Sequence, residues 1–151
     1  MKFPELIPAT FIKRDNRFTA GVRLKAGGVS TVFVPTTGRL TGVLRSGCRV
    51  WLAPAANPKR KTRYTLTLAE LEEGGLCCTD AAMANRLFAE AQSQGRLRAF
   101  PYPNIENEVT FGRSRLDFHL SDDAENCWVE VKSVTYANAG VGMFPDAPTS
   151  R

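Results

Sequence analysis

Glycine and proline divide the first seventy residues into short apolar or alternating runs, and this pattern limits the possible folds more than any other feature of the sequence. Such runs are typical of β-strands separated by turns. Five short strands favour a small closed barrel, because closure removes exposed sheet edges, and an OB-type barrel is the first choice. The predicted strands are residues 9–18, 20–24, 29–34, 49–53 and 63–68, with Gly27 and Gly28 as a turn between the second and the third.

The pattern changes near residue 80, where apolar residues begin to recur at the three- and four-residue spacing of a helix face. Thr79 and Asp80 supply a capping residue before this helix, and Gly95 is placed to end it. The apolar positions are Ala84, Leu87, Phe88 and Ala91. They predict one amphipathic helix of about three to four turns.

Three further strands are predicted after the prolines at 101 and 103. They are residues 105–111, 115–120 and 127–135, with a polar hairpin turn over residues 121–126. The sequence therefore predicts two domains, a mostly β barrel over residues 1–80 and an α+β domain over residues 81–151.

Positive charge is concentrated in the first domain. Residues 1–80 hold thirteen Lys and Arg against six Asp and Glu, a net charge of +7, whereas residues 81–151 hold seven against nine, a net charge of −2. A basic module beside a mildly acidic one fits an anionic partner on the first and a carboxylate-containing site in the second. A solvated basic surface without a partner is the alternative interpretation.

Basic and aromatic residues alternate in two segments of the first domain, a composition that suits a groove that neutralises phosphates and stacks bases. Tyr64 is the expected stacking residue because its neighbours are charged, whereas Phe18 is expected in the core. A plain solvated face is the alternative for the whole cluster. The predicted nucleic-acid contacts are Lys13, Arg14, Arg17, Arg39, Lys59, Arg60, Lys61, Arg63 and Tyr64.

Cysteine spacing and hydropathy indicate the cellular compartment in which the protein is expected. Cys48, Cys77, Cys78 and Cys127 form no CxxC pair, which argues against zinc, and the adjacent pair could bond only with strain, which argues against a disulfide framework. No apolar run approaches the roughly 18 residues that span a bilayer, and the N-terminus lacks the apolar core of a signal peptide. We therefore expect a cytoplasmic protein with no membrane partner.

Two carboxylates and a lysine fall on shared faces of neighbouring predicted strands. Alternation places Arg115, Asp117 and His119 on one side of their strand, and Glu130 and Lys132 on one side of the next. If the strands form a hairpin, Asp117 and Glu130 converge and can hold a hard divalent cation, with Lys132 beside a substrate phosphate. An ordinary Glu130–Lys132 pair on an exposed strand is the alternative.

Six motifs occur in the same order in the sugar fermentation stimulation protein family, which this chain resembles over nearly its whole length. They are FIKRDNRF from residue 11, VPTTGRL from 34, NPKRKTRY from 57, EVTFGRSRLDF from 108, VEVKSVT from 129 and FPDA from 144. The resemblance implies an OB-like first domain, a restriction-endonuclease-like second domain, and DNA binding with a regulatory role in sugar utilisation. It also implies nuclease-type positions at Asp117, Glu130 and Lys132, with Glu108 as an accessory carboxylate.

Two departures from the family pattern affect these expectations. Thr36 stands where the family usually has Asn, a change that is neutral if the position caps a turn. The family also continues beyond the FPDA segment, whereas this chain ends at Arg151. The restriction-endonuclease-like domain is therefore expected to be incomplete, with a partner or a second copy of the chain covering the unfinished sheet.

The leading hypothesis is a DNA-binding protein of low sequence specificity that regulates sugar metabolism. The alternative is a nuclease that acts on DNA with Mg²⁺ or Mn²⁺, in which Asp117, Glu130 and Glu108 bind the metal and Asp117, Glu130 and Lys132 are catalytic. A remnant without function is the third possibility.

Overall fold

The computed structural model describes residues 1–138 and 141–144. These residues form two compact units. One comprises Lys2–Ala81 together with the described residues from Val134 onward, and the other comprises Ala82–Ser133 with Met1. The predicted division into residues 1–80 and 81–151 stays a prediction. Pro145, Asp146 and Ala147 of the FPDA segment lie outside the described residues.

The first unit is a closed β-barrel, as predicted. Its sheet has the strand order β3-β2-β1-β4-β5-β6, and a parallel pairing of Phe33 on β3 with Thr65 on β5 closes the first five strands. Closure leaves no free edge among these five strands. The strands are β1 Ile7–Arg14, β2 Thr19–Leu24, β3 Val29–Phe33, β4 Arg49–Pro54, β5 Tyr64–Glu70 and β6 Leu76–Cys78.

Alternating side chains from these strands fill the barrel. Val22, Val32, Val50, Leu52 and Leu66 are fully buried. Their strand neighbours face outward, because successive side chains of a strand point to opposite faces. The apolar alternation in the sequence therefore determines both the strands and the barrel interior.

The prediction for the first strand was wrong at its end, because Asn16 forms a turn. The Asn16 side-chain oxygen accepts hydrogen bonds from the backbone N–H groups of Phe18 at 2.9 Å and Thr19 at 3.1 Å. This local bonding competes with a continued strand. β1 consequently ends at Arg14, and residues 15–18 form the β1–β2 loop.

Thr79 belongs to the barrel, so its predicted capping role was wrong. Its hydroxyl donates to the Leu66 carbonyl at 2.9 Å, its backbone N–H donates to the Thr67 carbonyl at 2.9 Å, and it is almost completely buried. A buried hydroxyl needs such a partner. The helix begins three residues later, at Ala82.

The second unit contains the predicted helix and a three-stranded antiparallel sheet. The helix α1, Ala82–Ser93, ends at Gly95 as expected; Gly95 has a φ of +64°, and Arg96 N–H donates to the Ala91 carbonyl at 2.9 Å. The sheet order is β7-β8-β9. Its strands are β7 Asn104–Phe111, β8 Ser114–Ser121 and β9 Asn126–Val129.

Phe88 connects α1 to the sheet. Its ring lies 4.8 Å from that of Phe118 on β8, and both Phe118 and Leu120 are buried. Leu87 was wrongly placed on the buried helix face, since it is 52% exposed. The last predicted strand was too long, because β9 ends at Val129. A short hairpin of β10 Tyr136–Asn138 and β11 Val141–Met143 follows.

No helix among the described residues is both long and apolar enough to cross a membrane. The expectation that a partner or a second copy covers the sheet of the second unit stays a prediction.

Candidate functional site

The β1–β2 loop and the β4–β5 loop, residues 15–18 and 55–63, are joined by a continuous series of contacts at one end of the barrel. Val34 N–H donates to the Phe18 carbonyl at 2.8 Å, and the neighbouring Phe33 pairs with Thr65. Oligonucleotides bind OB-type barrels on the face of the second and third strands and on the two loops in these positions. We call this region, residues 13–18, 33–39 and 57–65, the basic end of the barrel.

Two of the predicted cations hold the basic end together. The Arg14 guanidinium donates to the carbonyls of Asn16 at 3.2 Å, Gly38 at 3.4 Å and Arg17. The Arg60 guanidinium donates to the Thr62 carbonyl at 2.8 Å and the Thr65 hydroxyl at 2.9 Å, and lies over the Phe33 ring. Both are half-buried, and burial lowers the pKa of the Arg14 guanidinium from its ordinary value.

The other six predicted cations are exposed to solvent at or beside the same loops. They are Lys13, Arg17, Arg39, Lys59, Lys61 and Arg63. Their side chains are therefore accessible to a phosphate backbone, whereas Arg14 and Arg60 position the loops that carry them. Thr36, the departure from the family pattern, does cap a turn, because its hydroxyl accepts from Gly38 N–H at 3.2 Å.

The aromatic residues of the basic end differ from expectation in their exposure. Phe18 was expected in the core, but 46% of its surface is exposed. Tyr64 is half-buried and packs against the barrel core. Its predicted contact with a base stays a prediction, while Phe18 is the more accessible ring.

Sequence reasoning missed two further arginines on the outer barrel surface. Thr10 on β1 pairs with Arg23 on β2 and with Arg49 on β4, so the three side chains form a row across the sheet, and all three are exposed. The sequence could have indicated these exposed positions, because the neighbours of Arg23 on β2 and of Arg49 on β4 are apolar and point inward, so that the two arginines point outward.

In the second unit, Asp117 has more hydrogen bonds than the other two predicted catalytic residues. It is half-buried on β8, with one donor on each carboxylate oxygen: Asn85 Nδ2 at 2.7 Å from Oδ1, and Val131 N–H at 2.7 Å from Oδ2. Asn85 lies on α1 and was not predicted, because only the tertiary fold brings it to Asp117. These two bonds fix the orientation of the carboxylate and leave one lone pair on each oxygen.

Glu130 and Lys132 lie just beyond the end of β9, where they form an exposed ion pair. The last pair of β8 and β9 joins Phe118 to Val129, so Glu130 follows at the position opposite Asp117. The ladder stops there because Val131 N–H bonds to the Asp117 carboxylate. The pairing thus places the Glu-x-Lys segment beside Asp117.

Glu108, the predicted accessory carboxylate, is exposed and has a φ of +54°. The β7–β8 register places it opposite Asp117, and its carboxylate accepts from Arg115 at 2.6 Å. Within residues 1–138 and 141–144, no group of three or more His, Cys, Asp or Glu is arranged to hold a metal ion. The metal and catalytic roles of Asp117, Glu130, Lys132 and Glu108 stay predictions.

Comparison with known proteins gives two family matches that follow one another along the chain. The model described as the SfsA N-terminal OB domain matches residues 12–79, and the one described as the sugar fermentation stimulation protein RE domain matches residues 82–151.

Three curated relatives share the name "Sugar fermentation stimulation protein homolog". The protein from Desulforamulus reducens is 40% identical over 150 residues, that from Marinomonas sp. 41% over 156 and that from Moorella thermoacetica 45% over 149. The alignments cover 98%, 100% and 97% of this chain but 61%, 60% and 63% of the relatives. The chain therefore spans about three fifths of their length.

A solved structure has the same architecture. SfsA from Pyrococcus furiosus, in complex with Ca²⁺, matches with a TM-score of 0.84 at 28% identity, over 98% of this chain and 63% of that one. The barrel, the helix and the sheet, the two consecutive family matches and the similarity to these relatives agree: the chain belongs to the sugar fermentation stimulation protein family.

Proposed function

We propose that this protein binds DNA through the basic end of the barrel. The observation that carries the proposal is the position of six exposed cations on or beside the two loops that flank the binding face of an OB-type barrel. Each cation that contacts a phosphate releases condensed counterions, so such binding depends mainly on charge. The contacts are to the backbone, and low sequence specificity follows.

The arrangement of the loops supports this proposal. Arg14 and Arg60 are bonded to carbonyls and a hydroxyl of the basic end, which reduces the loss of loop entropy when a ligand binds. The exposed Phe18 ring adds an apolar surface on which a base can stack. A regulatory role in sugar metabolism, as the names of the relatives suggest, would act through this DNA contact.

A salt titration tests the proposal. A fluorescently labelled duplex and the corresponding single strand are titrated with the protein at several salt concentrations, and anisotropy gives the Kd. We expect binding at low salt, and we expect the logarithm of the binding constant to fall linearly with the logarithm of the salt concentration. Absence of binding to both DNAs at low salt would contradict the proposal.

A second candidate function is divalent-metal-dependent cleavage of DNA, favoured by the two-sided fixation of Asp117 beside the Glu-x-Lys segment. The donor set of Asp117, Glu130 and the Val131 carbonyl consists of hard oxygen atoms, which suits Mg²⁺ or Mn²⁺. The Ca²⁺ complex of the Pyrococcus furiosus relative supports divalent-cation binding here. A bound cation would neutralise charge on the phosphate and acidify a water molecule.

Lys132 has a separate role in this second function. Its ammonium group pairs with Glu130 and can instead approach a phosphate oxygen, where it offsets developing negative charge. Cleavage of DNA in Mg²⁺ or Mn²⁺ that disappears in Asp117→Ala and Glu130→Ala would support the function. Cleavage unchanged in both variants would assign it to a contaminant.

A further inference from the structure

A groove of about 570 Å³ lies on the barrel between two turns, the turn of residues 45–48 and the β5–β6 turn of residues 71–75. These turns are at the start of β4 and the end of β5, so the groove is at the opposite end of the barrel from the basic end. The first turn is fixed to β1, because Gly47 N–H donates to the Phe11 carbonyl at 2.9 Å. A groove of this size suits a small molecule. We call it the turn groove, and its charged side chains are those of Arg45, Arg49, Glu70 and Glu72.

The charges of the turn groove balance. Two arginines and two glutamates line it, and burial raises the pKa of the Cys48 thiol, which also lines it, so this thiol is uncharged at pH 7. A lining with no net charge does not favour a polyanion such as a nucleic-acid backbone. It fits a small ligand that carries one positive and one negative group.

A donor and an acceptor in the turn groove have no partner in the protein. Arg45 Nε is buried, and no group in residues 1–138 or 141–144 forms a hydrogen bond with it. The half-buried Glu70 carboxylate has no hydrogen bond or ion pair within the described parts of the chain. Buried polar groups are normally paired. Arg45 and Glu70 therefore mark the positions of a ligand carboxylate and a ligand ammonium group.

The strand register brings Arg49 next to Glu70. Val50 on β4 pairs with Ala69 on β5, so Arg49 and Glu70 face each other at the next position. In the described structure their side chains form no ion pair, and the Arg49 guanidinium lies 6.0 Å from the centre of the Trp51 ring. A cation and a carboxylate that are adjacent but unpaired can bind the two charged groups of an α-amino acid, which are attached to a single carbon.

Glu72 competes with such a ligand for Arg45. Its carboxylate forms an ion pair with Arg45 Nη1 that joins the two turns. The Glu72 side chain is 82% exposed, and exposed pairs contribute little stability. A ligand carboxylate can therefore replace Glu72 at little cost, and it would also accept a hydrogen bond from Nε, as in a bidentate arginine–carboxylate pair.

We propose that the turn groove binds a free α-amino acid, whose carboxylate pairs with Arg45 and Arg49 and whose ammonium group pairs with Glu70. The exposed Thr10 hydroxyl, which lies beside Arg49 across the sheet, adds a donor for the same carboxylate. This site is separate from the proposed DNA contact at the basic end.

Matched derivatives test whether both ligand charges are required. The protein is mixed with each of the standard L-amino acids, and thermal unfolding followed by calorimetric titration identifies those that bind. The tightest is compared with its α-N-acetyl derivative, which lacks the ammonium group, and its amide, which lacks the carboxylate. We expect the amino acid to bind about ten-fold or more tightly than either derivative. Equal affinities for all three, or binding by none of the amino acids, would overturn the proposal.

Two neighbouring glutamates provide a matched pair of variants. Glu72→Gln frees Arg45 and should strengthen binding several-fold, whereas Glu73→Gln, at an exposed position of the same turn outside the groove, should leave the affinity unchanged. Glu70→Gln and Arg45→Gln should weaken binding about ten-fold or more, because each leaves one ligand charge unpaired. Circular dichroism checks the fold of each variant. Equal affinity in the Glu72 and Glu73 variants would contradict the competition for Arg45.

The Cys48 thiol reports whether the ligand lies in the turn groove. It is half-buried in the lining, and the half-buried Cys127 in the other unit is the control. We expect the amino acid to slow alkylation of Cys48 by iodoacetamide and to leave that of Cys127 unchanged, as measured by mass spectrometry of the peptides. Equal slowing at both thiols, or slowing at neither, would place the ligand elsewhere and overturn the proposal.

DNA binding by the same variants separates this inference from the proposed function. Glu70→Gln and Glu72→Gln should keep the salt-dependent DNA binding of the native protein. If no DNA binds but an amino acid binds as described, the proposed function fails and the inference holds. If DNA displaces the amino acid and protects Cys48, the turn groove belongs to the nucleic-acid surface and the inference is wrong.

Discussion

At the scale of single residues, Asp117 differs from its neighbours in being held from two sides. Asn85 on α1 and the Val131 N–H each donate to one carboxylate oxygen at 2.7 Å. Groups that orient a ligating carboxylate in this way contribute strongly to metal affinity. Asn85 is thus a positioning residue for the candidate site.

Asn85→Ala should weaken Mn²⁺ binding by roughly ten-fold or more. It should also lower the free energy of unfolding by about 1–2 kcal/mol, because a partly exposed charged acceptor loses one donor. Calorimetric titration and urea denaturation measure the two effects. Leu87→Ala on the solvent side of α1 is the control, and equal metal affinity in both variants would show that Asn85 does not position Asp117.

The position of Glu130 opposite Asp117 could be predicted from the sequence, because strand alternation and chain order indicate it, while the catalytic roles of Asp117, Glu130 and Lys132 stay predictions. The contact from Asn85 could not be identified, since thirty-two residues separate it from Asp117 and only the packing of α1 brings the two together. Phe18 was misjudged for a similar reason, because its exposure depends on tertiary packing that the local sequence does not reveal.

At the scale of elements, the loops of the basic end are fixed by two half-buried guanidinium groups, while the other cations face solvent. Arg14→Lys should reduce the free energy of unfolding by about 1–2 kcal/mol, because an ammonium group cannot reproduce the planar fork that reaches three carbonyls. Lys13→Ala, at an exposed position, should change it by less than about 0.5 kcal/mol. Urea denaturation distinguishes them, and equal losses would contradict the assigned roles.

The β8–β9 turn is stabilised by an ionised Asp122. Its Oδ1 accepts from Ala124 N–H at 2.8 Å and Glu125 N–H at 2.7 Å, and these bonds lower the pKa of Asp122. A depressed folded-state pKa contributes stability that is present above the ordinary Asp pKa of about 4 and is lost as the pH falls through the folded value.

Asp122→Asn keeps the acceptor oxygen but removes the charge. It should therefore be less stable than the native protein at pH 7, and this difference should become smaller as the pH falls toward the lowered pKa of Asp122. Urea denaturation at pH 7 and at about pH 3 measures it. A difference that is the same at both pH values would show that the charge of Asp122 has no part in the turn.

Element boundaries were predictable where apolar periodicity alone sets them, as for β2 and β3. They were wrong where a side chain competes with the backbone ladder. Asn16 ends β1 early, the Thr79 hydroxyl bonds within the barrel, and the Asp117 carboxylate takes the Val131 N–H that would have continued β9. Such bonds depend on tertiary neighbours that periodicity does not reveal.

At the scale of the whole molecule, the sequence divides charge unequally between its two halves. The +7 of residues 1–80 is concentrated at the basic end of the barrel, whereas residues 81–151 carry −2. This division was readable from the sequence, as was the family, because charge and motif order do not depend on packing. Under the proposed function, phosphate contact belongs to the barrel.

The salt dependence of DNA binding by a variant of the β4–β5 loop tests this account most directly. The variant combines Lys59→Ala, Lys61→Ala and Arg63→Ala. The control is Lys25→Ala, which changes an exposed lysine in the β2–β3 turn, at the end of β2 and β3 that is opposite to the basic end. If all three cations contact phosphates, the slope of log K against log salt should fall by about 3 units, with the control unchanged. An unchanged slope and affinity in the triple variant would contradict DNA binding at the basic end.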